Sequence, residues 1–410
     1  MTKIDKLKNV VSDLSNELLL FDESQHDLFL KSANELLQSG YSIGPISKSI
    51  IKALQIAIKQ TAISGVYTLR YKLTEPTILC FSSGTKNSQK GIVRTYQSWQ
   101  NSFSLITKEV AAPTSVGIVL GALPYSLSLF GAMESLERGI SPLLFPSNSL
   151  KNFNALAVEH TYTLWATPSH CSFFINAFAK QQCNPIKEVR YIFVGGAHFS
   201  NQQRSQLQLV FPNAKIFSYY GTSETSFISI KSPTDNSESV GTICKDVEVS
   251  IRNEQHKSIT KNTSGNIWIK SNQLFLGYLQ KVLKIRVLGG YISINDRGFV
   301  DRDNRLFFSG RKGRRYSING HVVDLEDLEK WYKKTLSLDE LALFVIPHTT
   351  EDQMVLCSQR NFSDKEWQQV KQKALSVFDT QGVPKKWVHC HKWPLLKNGK
   401  VDMQKLKHSL

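Results

Sequence analysis

The chain has no CxxC pair, no GxxxxGK[ST] phosphate loop, no GxSxG elbow and no low-complexity tract. Its six cysteines (80, 171, 183, 244, 357 and 390) are scattered, which points away from a disulfide-stapled scaffold. The first residues, MTKIDKLKNVVSDLSNELLLFDES, alternate charge with apolar side chains and lack a signal-peptide core. The most apolar stretch, VGIVLGALPYSLSLFGAM at 116–133, is interrupted by Pro124, Ser126, Ser128 and three glycines, so it reads as a buried strand and turn rather than a membrane span. No repeat recurs at a solenoid period. A reduced, cytoplasmic protein is the expectation.

Acidic residues are also scarce. Against 50 Lys and Arg stand 34 Asp and Glu, leaving a formal charge of +16. Such a surface attracts anions, but the basic residues are spread along the chain with no RRM, helix-turn-helix or zinc signature, so nucleic acid is not the expected partner.

What is present is ordinary globular material: 41% hydrophobic and 10% aromatic residues over 410 positions, enough for two or three structural units. Residues 1–60 read as helical, with LFLKSANELL and ISKSIIKALQIAI apolar at three-to-four spacing. After 76 the short runs TILCF, YTLWAT, VRYIFVGG and AKIFSYYG alternate with helical segments, which predicts an α/β domain with a largely parallel sheet. From about 240 to 310 the runs shorten into a small β subdomain. GRKGRRYSING then links to EDLEKWYKKTL as helix, LALFVIP as strand, KEWQQVKQKALSVF as helix and KKWVHCHKW as strand, a separate α+β domain. The expected division is 1–311 and 312–410.

Residues 82–91, SSGTKNSQKG, follow the strand-like ILCF. A strand running into Ser, Thr, Gly and Lys suits a phosphate: glycine admits close backbone approach, hydroxyls and amides donate, and lysine neutralises charge. Alone the pattern is weak, because Ser/Gly turns are common.

Here the chain resembles the adenylate-forming superfamily of acyl- and aryl-CoA ligases, peptide-synthetase adenylation domains and luciferases. Ser82, Ser83, Gly84, Thr85, Lys90 and Gly91 match that family's SSGTTGxPKG, while Lys86, Asn87 and Gln89 replace its Thr, Gly and Pro. YYGTSE at 219–224 is similar to YGxTE, INDRG at 294–298 to TGDxG, SGRKGRR at 309–315 to the GR of the domain joint, and PLLKNGKVD at 394–402 to PxxxxGKxD. Weaker echoes are ATPS at 166–169, VGGA at 194–197 and GY at 277–278.

The resemblance implies a large AMP-binding domain with a shortened N-terminal subdomain and a mobile C-terminal lid. It implies ATP and Mg²⁺ as reactant and cofactor. Ser82, Ser83, Gly84, Thr85, Lys90, Tyr220 and Gly221 would hold the nucleotide, with Thr222 at the α-phosphate and Glu224 on Mg²⁺. Asp296 would accept the ribose hydroxyls, Arg311 would touch ribose or phosphate, and Lys400 would be the catalytic lysine. Gly313 occupies the hinge position, and Ser317 replaces a family lysine beyond it.

The implied reaction activates a carboxylic acid as an acyl-adenylate and passes it to the thiol of coenzyme A or of a carrier protein's phosphopantetheine arm, an acidic carrier suiting the basic surface. Tyr125, Phe130, Gly195, Gly196, Ala197 and Tyr219 would line the acid pocket. Ser126 stands where amino-acid-activating relatives carry an aspartate for the substrate ammonium, so α-amino acids are disfavoured and aryl and aliphatic acids stay open.

Other readings carry less. In an expected strand His389 and His391 share a face while Cys390 points away, and no further ligand pair lies nearby, so a metal site is not the favoured reading. Glu326, Asp327 and Glu329 read as the charged opening of a helix, with Glu329 in a structural role. A relative that binds nucleotide or acyl-adenylate without turnover is the competing class, its support being the altered phosphate loop and Ser317.

Overall fold

Runs such as TILCF, YTLWA and VRYIFV are too short for helices and apolar on both alternating faces, the pattern of strands covered on both sides. In a computed structural model of the chain they are β5 (Thr77–Phe81), β9 (Tyr162–Ala166) and β10 (Val189–Val194). The structure describes residues 7, 17–54, 58–71, 73–82, 90–109, 114–146, 150–197, 199–280, 285–311, 315–318, 321–346, 353–378, 380–396 and 401–410, by backbone alone at 53–54, 108–109, 150–151, 311, 315–318, 321–324 and 381. These residues fall into two units: 1–249, 269–294 and Leu396 in the first, and 250–268, 295–395 and 401–410 in the second.

In the first unit, one sheet runs β8 (Ser141–Phe145), β7 (Val116–Leu120), β9, β10, β11 (Lys215–Thr222), all parallel, then β12 (Ser226–Lys231), antiparallel to β11, and β13 (Thr242–Ile243), antiparallel to β12. The other is mixed: β3 (Lys59–Gln60), β4 (Val66–Arg70), β1 (Glu17–Phe21), β2 (Ser42–Pro45), β5, β6 (Gly91–Thr95) and β16 (Gly277–Tyr278). Helices α1 (His26–Gln38), α2 (Lys48–Leu54), α3 (Tyr96–Glu109), α4 (Ser126–Glu137), α5 (Leu150–Asn154), α6 (Pro168–Ala179) and α7 (Asn201–Val210) connect the strands.

The period-two alternation sorts side chains into separate cores. Val119, Trp165 and Phe193 share a core with Cys80 and Ile92 of the mixed sheet, with Phe29 of α1, Trp99 of α3 and Phe130 of α4. Ile118, Leu164 and Ile192 on the opposite face pack with Phe174 of α6 and Leu207 of α7. No helix among the described residues is long and apolar enough to cross a membrane.

Residues 247–324 supply β14 (Val247–Arg252), β15 (Gly265–Ser271), β17 (Arg286–Leu288), β18 (Tyr291–Val300), β19 (Leu306–Arg311) and the hairpin of β20 (Arg315–Ile318) and β21 (His321–Asp324). In the second unit, α8 (Leu325–Leu336) and α9 (Asp364–Leu375) cover one face of a sheet of β22 (Leu341–Ile346), β23 (Gln353–Ser358) and β24 (Lys386–His389). The other face packs on Leu406 of α10 (Met403–His408). Glu326 and Asp327 lie in the first turn of α8, and Glu329 Oε1 accepts from Leu343 N at 2.7 Å, tying helix to strand. His389 Nε2 lies 3.0 Å from Gln359 O, and the His389 and His391 rings are 4.1 Å apart. Among the described residues no three His, Cys, Asp or Glu side chains gather as a cation site.

Three local expectations need correction. The N-terminal sixty residues are not simply helical, because β1 and β2 alternate with α1 and α2. LLLF of β1 is buried on both faces, and so short an apolar run carries no period to separate strand from helix. The 116–133 stretch is a strand and turn as expected, but its second half opens α4. The C-terminal region also holds a third strand, β23, between the expected LALFVIP strand and KEWQQVKQKALSVF helix.

One buried ionisable group ties this fold to pH. Thr167 caps α6, its hydroxyl accepting from His170 N at 3.4 Å while His170 Nδ1 accepts from Thr167 N at 3.1 Å. An accepting Nδ1 is unprotonated, and burial lowers this imidazole from 6.5 to about 4. Between those values the unfolded chain binds a proton that the folded chain refuses, so stability rises with pH across the window and is lost on acidification. The full effect is about 3 kcal/mol, reached below pH 4. Urea unfolding between pH 7 and 4.5 should show the fall, and His170→Asn should flatten it.

Candidate functional site

The YYGTSE signature forms the end of β11 and its turn into β12. A bulge between Tyr220 and Gly221 shifts the register, re-aiming the following side chains. Thr225 N donates to Thr222 O at 3.2 Å, and Thr225 Oγ1 accepts from Thr222 N at 3.1 Å and lies 3.2 Å from Thr222 Oγ1. The two threonines thus brace the turn from inside. Only glycine fits at 221, because a Cβ there would lie 1.8 Å from Ser226 O.

The last residue of the signature, Glu224, is held from a distant part of the chain. Its carbonyl accepts from Phe275 N at 2.9 Å, and its Oε1 accepts from the Tyr278 hydroxyl at 2.9 Å. Tyr278 belongs to β16, whose pairing with β6 places it opposite Ile92. Burial and the Glu224 carboxylate push its phenol pKa upward, keeping it a donor. Lys90 Nζ sits 4.9 Å from the Tyr278 ring centroid. Lysine, phenol and carboxylate therefore form one linked group.

The neck of the 82–91 segment is closed by Ser82 N donating to Lys90 O at 2.9 Å and Lys90 N donating to Ser82 Oγ at 3.0 Å. Its flanking strands, β5 and β6, pair antiparallel. Ser83, Gly84 and Thr85 lie outside the described residues, as do Gly313 and Lys400.

Glu224 Oε2 has no hydrogen-bond partner among the described residues. A carboxylate oxygen held in place by a phenol, with its mate open, suits Mg²⁺, which takes one or two carboxylates and completes its shell with water and substrate phosphates. The residues present fit that ion.

Beside the turn lies a cavity of about 90 Å³. Gly221, Thr222 and Ser223 form part of its wall, and Tyr125, Phe130 and Tyr219 supply apolar surface. Ser126, the first residue of α4, lies in the wall, as does Gly196. Gly195 packs against Tyr219, where an added Cβ would meet the ring at 2.2 Å. Gly195 and Ala197 are not themselves in the wall. Phe130 holds its place by stacking on Trp99 at 5.7 Å and meeting Phe227 edge-on at 5.0 Å.

Two residues escaped the sequence reading as site candidates. Tyr278 was legible only as a faint GY echo. Arg94 lies in the cavity wall and is 1% exposed, although nothing in GIVRT marks it as more than a strand residue.

In the second unit, Asp296 is fully buried and stands opposite Arg311 in the β18–β19 register. Asn295 adopts a left-handed φ of 62° just before it, and the ladder shifts just after, between Arg297 and Gly298. The structure thus brings together two residues fifteen positions apart on adjacent strands.

A profile of the family described as AMP-binding enzyme matches residues 9–279. An uncharacterised acyl-CoA ligase of Bacillus subtilis (strain 168) is 26% identical, covering 81% of this chain and 68% of its own length. A D-alanine–D-alanyl carrier protein ligase of Bacillus licheniformis is 24% identical over 81% of this chain and 70% of its own. Among solved structures, an anthranilate CoA ligase in complex with anthranoyl-AMP covers all of this chain and 81% of its own, with a TM-score of 0.69 at 16% identity, a likeness of fold.

Proposed function

The chain belongs to the AMP-binding enzyme family, and from that premise we propose that it activates a carboxylic acid with ATP as an acyl-adenylate and then forms a thioester. One observation carries the reading: Thr222 of the signature turn and the apolar side chains Tyr125 and Phe130 line a single cavity. A nucleotide phosphate at the turn and an organic acid in the cavity would therefore be neighbours.

In the first step a carboxylate oxygen attacks the α-phosphorus, and the bond from that phosphorus to the pyrophosphate oxygen breaks. The barrier is dominated by the approach of two anions, so cations and donors aimed at the forming charge are what accelerate it. Thr222 and the 82–91 loop would orient the phosphates, Asp296 and Arg311 the ribose, and Lys400 would stand between carboxylate and nucleotide. Glu224, oriented by Tyr278, would hold Mg²⁺, which when bound supplies charge neutralisation for the departing pyrophosphate. In the second step a phosphopantetheine sulfur, having lost its proton, attacks the acyl carbonyl and AMP leaves. Coenzyme A and an acidic carrier protein both fit the basic surface. Rotation of residues 312–410 about Gly313 would separate the two steps.

α-Amino acids are disfavoured on electrostatic grounds. Among the described residues no carboxylate lines the cavity, Ser126 lies at the positive end of α4, and Arg94 adds a cation, so a substrate ammonium would be desolvated against like charge.

ATP–pyrophosphate exchange over a panel of carboxylic acids tests the proposal. Acid-dependent exchange sustains it; nucleotide binding without exchange for any acid would instead identify a binding protein. Within the same assay, Tyr278→Phe should raise the Mg²⁺ concentration for half-maximal exchange by about 10-fold, because Glu224 loses its orienting donor.

A further inference from the structure

Arg94 is a charged side chain in an apolar core. It lies on the face of β6 that also presents Ile92, and Ile78 is its partner across the β5–β6 ladder. Its bonds reach only neutral groups of α3: Nε donates to Ser98 Oγ at 3.3 Å, and Nη2 donates to Ser98 O at 2.9 Å and Ser102 Oγ at 3.2 Å. The guanidinium lies over the Trp99 ring at 5.0 Å. Burial lowers its pKa from 12.5 to about 10, which still leaves it charged at neutral pH.

Among the described residues no carboxylate pairs with Arg94, and Nη1 makes no hydrogen bond. A buried cation without a counter-ion is costly, and an arginine fork with a free edge is shaped to receive a planar anion. Arg94 meets open space in the substrate cavity, alongside Thr222, Tyr125 and Phe130. With the reacting carboxylate required near Thr222, a separate negative group on the same molecule is what would satisfy the guanidinium. The cavity offers about 90 Å³ where one water needs about 10–15 Å³, so the space takes a short acid.

Resting on the acid-activation reading, we propose that the substrate is a short aliphatic acid bearing a second anionic group, a dicarboxylate, and that Arg94 selects it by pairing with the carboxylate that does not react.

The test is pyrophosphate exchange with length-matched pairs: succinate and butyrate, glutarate and pentanoate, adipate and hexanoate. The unaltered protein should prefer the diacid of the best pair by about 100-fold in kcat/KM. Arg94→Met, which fills similar volume without a charge, should reduce that diacid-to-monoacid ratio by about 100-fold, and Arg94→Lys should restore part of it. A melting temperature for Arg94→Met near that of the unaltered protein confirms folding; if this variant does not fold, Arg94→Lys and Arg94→Gln are compared instead.

Equal or better use of monoacids by the unaltered protein would overturn the proposal. So would a variant that loses both acids of a pair alike, since Arg94 would then hold the reacting carboxylate or serve only the fold. If no acid supports exchange, the activation reading fails by itself. Calorimetric titration with glutarate then decides on Arg94: binding that is lost in Arg94→Met sustains the anion site, and no binding to the unaltered protein rejects it.

Discussion

Replacing Lys400 with alanine should lower ATP–pyrophosphate exchange by about 10³-fold while sparing thioester formation from a supplied acyl-adenylate. The asymmetry follows from where charge accumulates. Adenylation forces a carboxylate against a triphosphate, and an ammonium between them offsets their repulsion. Thiol attack on the finished adenylate expels AMP from a carbonyl already made electrophilic, and it needs no cation between two anions. Both half-reactions can be followed separately, one by exchange of labelled pyrophosphate and the other by thioester release from synthetic adenylate. Equal loss of the two would refute this division of labour, and with it the role assigned to PLLKNGKVD.

Gly221→Ala should be the most damaging single-methyl change in the site. The added carbon would lie 1.8 Å from Ser226 O and 2.8 Å from Ser226 C, and both belong to backbone that cannot swing aside as a side-chain tip can. Relief requires opening the β11–β12 hairpin at its register shift. That strips Thr222 of its bonds to Thr225 and moves Glu224 off Tyr278. A loss of about 3–5 kcal/mol in urea unfolding is expected, together with loss of pyrophosphate exchange. An alanine variant that unfolds at the unaltered midpoint and still exchanges would show that the turn tolerates a different path.

Much of this was legible along the chain because local chemistry constrains local shape. Gly221 is demanded by contact with a residue five positions on, and Thr222 by bonds three positions on, so YYGTSE and the two residues after it carry the turn between them. INDRG does the same through Asn295, whose short polar side chain tolerates a left-handed backbone. The strands of the parallel sheet were readable since both of their faces are buried. The first strand, ELLLF, was not, because leucine favours helix and the run lacks the β-branched residues that mark TILCF, YTLWA and VRYIFV.

The sequence by itself determined the family signatures, their order and the residue types available to meet phosphate, ribose and a magnesium ion. Tertiary structure alone decided which distant residues complete them. Tyr278 reaches Glu224 across fifty-four positions because β16 pairs with β6. Arg94, spelled within an ordinary strand, becomes a buried cation because β6 turns that face toward Trp99, Phe130 and the cavity. Motifs encode what neighbours along the chain can enforce; burial and pairing depend on where the sheets place the remainder, and no local pattern records that.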